Sequence, residues 1–86
     1  MNVGFNKNFK KQFDKLPKNI QEQFFNRLNV FLINSFTPIL NNHQLRGKLK
    51  NMRSINVTGD IRAIYEQINK NKVLFLTIAN HSKLYD

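Results

Sequence analysis

The chain has 86 residues, 41% of them hydrophobic and 12% aromatic, with no Cys and a formal net charge of +9. That length excludes two domains with separate cores, and the lack of Cys excludes a disulfide scaffold and a thiolate metal site; one folded domain over residues 1–86, in a reducing cytoplasm, is the expectation. The longest apolar runs, Val30 to Ile33 and Val73 to Leu76, fall far short of the roughly 20 residues that span a bilayer, and the polar start Met1 to Lys7 has no signal-peptide core, so neither membrane nor export is expected.

Met1 to Phe5 reads as a short strand or a frayed end. Phe9, Phe13 and Leu16 then recur at helical spacing, with Lys7, Lys10, Lys11 and Lys15 on other faces, which predicts a helix over about Asn6 to Leu16. Pro17 interrupts it and suits the opening of a second helix, where Ile20, Phe24, Leu28, Phe31 and Leu32 mark an apolar stripe ending near Asn34. The two read as a helical hairpin whose Phe stripes are spaced as core rather than as a ligand pocket or base-stacking surface. Ser35 to Gln44 holds Thr37-Pro38 and Asn41-Asn42 without periodicity, so it is the loop joining a helical half to a strand half.

A short edge strand is predicted at Leu45 to Leu49, kept from aggregation by its Arg and Lys. Ser54 to Thr58 alternates polar and apolar, Gly59-Asp60 signals a turn, Ile61 to Ile68 is β-branched and aromatic, and Asn69-Lys70-Asn71 separates it from Lys72 to Ile78. Val73 to Leu76, apolar at both parities, suits a central strand covered on both faces. The expected class is α+β: a short N-terminal strand and a helical hairpin packed on a twisted, mainly antiparallel sheet of about four strands. Tyr65, inside a strand, belongs to the core on this reading, and Gly47 and Gly59 to turns or bulges.

Fourteen Lys plus Arg against five Asp plus Glu gather polyanions or an acidic protein partner, nucleic acid above all. Part of the excess follows a composition rich in Asn, Lys, Ile and Phe, the residues that AT-rich coding DNA supplies. Arg46, Lys48, Lys50 and Arg53 nevertheless fall close together, and positions 46, 48 and 50 share one face of extended chain. Of the two His residues, His43 stands just before the strands and His81 just after them. Their plain readings are an exposed loop His and a helix-capping Asn80-His81-Ser82 turn. Neighbouring strand ends converge, however, and Asp60 and Arg62 sit at a hairpin tip or strand start expected on the same side.

Metal-free RNA cleavage needs a base for the ribose 2′-OH, an acid for the departing oxygen and a cation for the phosphorane. His and Asp suit the first two roles and the planar fork of Arg the third. Five acidic residues, with Asp60 and Glu66 the one close pair, are too few for a two-metal nuclease. No Gly-rich phosphate loop, nucleophile elbow or zinc pattern occurs, so no metal or cofactor is expected.

Asn42-His43-Gln44-Leu45-Arg46-Gly47, Thr58-Gly59-Asp60-Ile61-Arg62-Ala63-Ile64-Tyr65 and Asn80-His81-Ser82-Lys83-Leu84-Tyr85 resemble the three motif blocks of the RelE/ParE superfamily of bacterial type II toxins, closest to its YafQ-like branch. The resemblance covers nearly the whole chain. It implies a ribosome-dependent mRNA interferase that enters the decoding site and cuts the message by attack of the 2′-OH on the adjacent phosphate. It also implies an antitoxin, an acidic-tailed DNA-binding protein, bound to the toxin in a hetero-oligomer. Carried over by position, His43, Asp60 and His81 match catalytic residues, Arg62 a phosphate contact, and Tyr85 a terminal aromatic that stacks on a base or positions the phosphate. Arg46, Lys48, Lys50 and Arg53 would hold ribosomal or message backbone, with an affinity that salt weakens.

Two positions depart from the pattern. The YafQ-like branch bears another catalytic His four residues before Asp60, where this chain has Asn56. Asn cannot shuttle a proton at neutral pH, which leaves open a weaker enzyme, roles redistributed between His81 and Asp60, or an inactive one. Ala79 stands two before His81 where relatives often carry Gly, a change small enough to be tolerated. Two rival readings stay open: a ParE-like gyrase inhibitor that binds without catalysis, against which the paired His blocks weigh, and a small basic nucleic-acid-binding module without toxicity.

Overall fold

The computed structural model describes residues 1–47 and 51–85. Strand β1 (Asn2–Phe5) leads into helices α1 (Lys7–Asp14) and α2 (Lys18–Ile33). A 3-10 turn at Pro38–Leu40 precedes strands β2 (His43–Gln44), β3 (Met52–Asn56), β4 (Ile61–Asn69) and β5 (Lys72–Asn80), and the chain closes with the short helix α3 (His81–Tyr85). The strands form one sheet in the order β1-β5-β4-β3-β2. β1 runs parallel to β5 and the other pairings are antiparallel, so the α+β class with a helical hairpin on a mainly antiparallel sheet is the one observed.

Short polar side chains place these elements. Asn6 caps α1, its Oδ1 accepting from Phe9 N at 2.8 Å. At the other end Gln21 Nε2 donates to Phe13 O at 2.9 Å, which satisfies a terminal carbonyl of α1 and ties it to α2. β1 ends at Phe5, so the outer edge of β5 beyond Phe75 has no strand partner. Helix α1 completes it instead: Gln12 Oε1 accepts from Ile78 N at 2.9 Å and from Thr77 Oγ1 at 2.8 Å, and Asn8 Nδ2 donates to Leu76 O at 3.3 Å. A strand edge that would otherwise expose its polar groups is thereby closed by helix side chains.

The core is aromatic and centres on Phe75, which is fully buried on β5. The ring centroids of Phe5, Phe9, Phe24, Phe31 and Tyr65 lie 5.5 to 5.8 Å from that of Phe75, in stacked, tilted and edge-on arrangements. One strand residue thus receives rings from β1, both helices and β4. Among the described residues no helix is long and apolar enough to cross a membrane.

Three expectations are corrected. The edge strand predicted at Leu45 to Leu49 begins earlier, at His43–Gln44, and positions 48–50 lie outside the described residues. The cause is backbone geometry: Asn41, at φ 44, turns the chain into the strand, and Gly47, at φ 69, turns it away again. The loop from Ser35 to Gln44 carries a 3-10 turn that buries Leu40 completely. Leu32, placed in the apolar stripe of the second helix, points outward at 45% exposure, while Phe31 beside it is in the core.

Replacing Phe75 with Ala is expected to cost about 3 to 5 kcal/mol, against a total of about 4 to 13 kcal/mol for a chain of this length. Urea unfolding should show the midpoint falling steeply or the cooperative transition vanishing. A midpoint within a few tenths molar of wild type would show that the ring cluster does not centre on Phe75.

Candidate active site

The register divides the sheet into two faces. Ile55, Ala63 and Ile78 stand directly opposite one another, none more than 1% exposed, and face the helices. The rows on either side, His43-Ser54-Ile64-Thr77 and Asn56-Arg62-Ala79, therefore belong to the opposite face, because side chains alternate along a strand. Ser54 and Ile64 are buried on that second face, outside the aromatic core cluster, and Asn56 is half-buried there.

A bulge makes this arrangement possible. Ile64 pairs with Thr77 but Tyr65 pairs with Phe75, so Leu76 has no partner on β4. The extra residue shifts the phase of β5, and Phe75 and Ile78, three apart, both point into the core. Ala79 consequently lies beside Arg62 on the open face.

The end of the sheet carrying the β3–β4 turn gathers most of the expected residues. Thr58 Oγ1 accepts from Asp60 N at 3.2 Å and from Ile61 N at 3.0 Å, which folds the turn around its own hydroxyl. Arg62 Nη1 donates to Thr58 O at 3.0 Å and to Gly59 O at 3.1 Å, so the guanidinium lies on the turn's carbonyls. Its Nε and Nη2 make no hydrogen bond among the described residues, which leaves two donor positions able to meet a planar anion. The Asp60 carboxylate is exposed and takes no part in holding the turn, which rests on Asp60's backbone. His81 N donates to Asp60 O at 2.8 Å, joining the start of α3 to the same turn. Asn80 Oδ1 caps that helix, accepting from Lys83 N and Ser82 Oγ, each at 3.0 Å.

His43 sits at the far edge. Its Nδ1 lies 2.9 Å from Asn41 O, and since a carbonyl can only accept, Nδ1 carries the proton and Nε2 of the neutral ring carries the lone pair. The left-handed backbone of Asn41 therefore sets the tautomer of His43. Asn42 locks the adjoining segment: its Nδ2 donates to Ser35 O and to Tyr65 Oη, both at 2.8 Å, and its Oδ1 accepts from Arg53 Nε at 2.7 Å. Arg53 lies over the Phe36 ring, 5.1 Å from its centroid.

Asp60, Arg62 and His81 are thus brought to one end of the sheet, with Asn56 directly across from Arg62. His43 is not part of that group: three strand spacings, about 14 Å, separate β2 from β5. Tyr85 ends α3. Of the four basic residues expected to hold nucleic-acid backbone, Arg53 stands apart. Arg46 is exposed just after β2, Lys48 and Lys50 lie outside the described residues, and Arg53, paired with Tyr65, faces the helices, where Asn42 and Phe36 hold it. Three residues of structural consequence were given no role of their own from sequence: Thr58, for which Thr-Gly-Asp was a signal, Asn42, read only within a turn pair and a motif block, and Ser54, for which there was no signal.

The sequence pattern of the ParE toxin of type II toxin-antitoxin systems, parDE, matches residues 3–85. No curated protein sequence matches the chain. Among solved structures it is similar to the YoeB/ParE toxin from Agrobacterium tumefaciens, at a TM-score of 0.79 and 12% identity over 94% of this chain and 99% of that one. It is also similar to YafQ from E. coli strain BL21(DE3), at a TM-score of 0.75 and 20% identity over 99% and 98%. A third similar structure is the E. coli DinJ-YafQ toxin-antitoxin complex, at a TM-score of 0.68 and 22% identity over 99% and 97%. At these identities the likeness is one of fold.

Burial pushes the Tyr65 hydroxyl up from its ordinary pKa of 10.0, against smaller opposing pulls from Asn42 and Arg53. The folded state then holds this proton more tightly than the unfolded state, so the contribution is intact below pH 10 and is lost as pH rises from there through the folded value. Tyr65→Phe should remove that part of the alkaline loss, leaving a shallower fall in urea midpoint between neutral pH and pH 11. At neutral pH the same variant should cost about 1 to 2 kcal/mol, because Asn42 loses a partner. Identical alkaline slopes would contradict the assignment.

Proposed function

The chain belongs to the ParE toxin family of type II toxin-antitoxin systems, and from that premise we propose that it is a ribosome-dependent mRNA interferase, cutting by attack of a ribose 2′-OH on the adjacent phosphate. The observation that carries this reading is the junction at the β3–β4 turn. An arginine with two unengaged donor positions, an exposed carboxylate and the start of the His81 helix meet there without an intervening strand.

In this reading Arg62 binds the scissile phosphate through Nε and Nη2 and offsets the charge that grows on it. Asp60 and His81 exchange protons with the attacking 2′-OH and the leaving 5′-oxygen; both flank the phosphate site, and neither has to cross the sheet to reach it. His43, with its lone pair on Nε2, serves the neighbouring nucleotide from β2 in a supporting role. Tyr85 places the base or phosphate at the end of α3. Arg46, with Lys48 and Lys50, holds RNA backbone through contacts that salt weakens, whereas Arg53 is assigned to structure. An antitoxin is the expected protein partner, and the net charge of +9 suits one with an acidic segment. The E. coli DinJ-YafQ toxin-antitoxin complex, similar in fold, supports an antitoxin as the partner.

A second reading has an observation of its own, since the matched family pattern is that of the ParE toxin. A ParE-like gyrase inhibitor would use the same fold to bind without cleaving. Induced expression of wild type beside the His81→Ala, Asp60→Ala double variant separates the two, with growth followed and message 5′-ends mapped. The interferase reading expects arrest with new ends inside translated messages for wild type and neither for the variant. Arrest without new ends would transfer the fold to binding, with gyrase the next target.

A further inference from the structure

Among the described residues, the buried side-chain polar atoms without a hydrogen-bond partner are Ser54 Oγ and Asn56 Oδ1. Buried polar groups in proteins are paired with few exceptions, so two orphans on one strand call for an explanation. Ser54 and Asn56 are two apart on β3 and therefore on the same face, the open one. Asn56 stands opposite Arg62, and Ser54 stands opposite His43, so the orphans lie between the two ends of the candidate site.

The orientation of Asn56 is informative. The residue is half-buried, and its Oδ1 is turned inward, shut off from solvent. A carboxamide with its oxygen inside presents its Nδ2 on the open side, here directly across the strand pair from Arg62. Ser54 is fully buried, one row further along the same face, and its unpartnered hydroxyl is able to donate to an acceptor such as Asn56 Oδ1. The backbone separation of about 7 Å is one that a rotamer change or a single water closes.

We propose that Asn56 donates a hydrogen bond from Nδ2 to a non-bridging oxygen of the scissile phosphate, and that Ser54 is the positioning residue that fixes the amide in that orientation. The proposal rests on the cleavage reading above. It gives Asn56 a task that needs no proton transfer: a neutral amide donor stabilises the phosphorane at any pH at which the protein is folded, and it adds to Arg62 without placing a second positive charge beside it.

The test is cleavage of ribosome-bound message carrying one phosphorothioate at the cut site, each diastereomer separately, since sulfur accepts hydrogen bonds poorly. Wild type should cut one diastereomer about tenfold more slowly than the other, and Asn56→Ala should lose that preference while cutting all-oxygen message about 100-fold more slowly with little change in KM. Asn56→Asp, the same shape with acceptors in place of donors, should cut no better than Asn56→Ala. Ser54→Ala should cut about five- to tenfold more slowly and keep a reduced preference, as expected of a group acting through Asn56. Thermal melts of each variant exclude misfolding. A wild type without diastereomer preference overturns the proposal, as does Asn56→Ala cutting at the wild-type rate or Asn56→Asp retaining activity. A wild type that cuts no message at all overturns the cleavage reading and this proposal together.

Discussion

The packing of five rings around Phe75 is the constraint from which the rest of the architecture follows. A buried phenyl at the centre of β5 draws β1, α1, α2 and β4 onto one face of the sheet, and that leaves the helical hairpin committed to that side. The opposite face is then free to carry polar groups. An aromatic hub also uses few residues for the area it buries, which suits a chain too short to spread its core over several layers.

Two arginines show how differently the two faces treat a cation. Arg53 lies on the helix side, where an unpaired charge would be costly; it is hydrogen-bonded to Asn42 and laid over Phe36, and it works as a clamp on the segment leading into β2. Arg62 lies on the open side and spends only Nη1 on the carbonyls of its own turn. The first is engaged in holding its own segment; the second keeps Nε and Nη2 without a hydrogen bond among the described residues. Residue type and sequence proximity to other basic residues did not distinguish them. Strand parity did.

Much of this was legible in the residues. Helical spacing of Phe9 and Phe13, the break at Pro17, the turn at Gly59-Asp60 and the alternation from Ser54 to Thr58 are local signals, and each placed an element within a residue or two. The grouping of Asp60, Arg62 and His81 was readable because motif blocks and strand ends point the same way. What was not readable depends on geometry without a local pattern. The bulge at Leu76 hides in a run that is apolar at both parities, the start of β2 depends on a left-handed Asn41, and the capture of the β5 edge by Gln12 joins residues more than sixty positions apart. The face chosen by Arg53 follows from register, which composition does not specify.

The phase shift at Leu76 has a consequence for how such a chain can change over time. Substitutions along β5 alter one contact each, and even the loss of Leu76 keeps the two faces, because Thr77 would then follow Phe75 directly and Ile78 would still point into the core by plain alternation. Between Thr77 and His81 the pairing with β4 is continuous and has no such slack, so a residue gained or lost there would change the face of the positions after it and rotate the junction of His81 with the turn out of place. Length variation should therefore be tolerated at the bulge and be lethal to the site beyond it. In this chain the spacing from Thr77 to His81 is under tighter constraint than the identity of most residues within it.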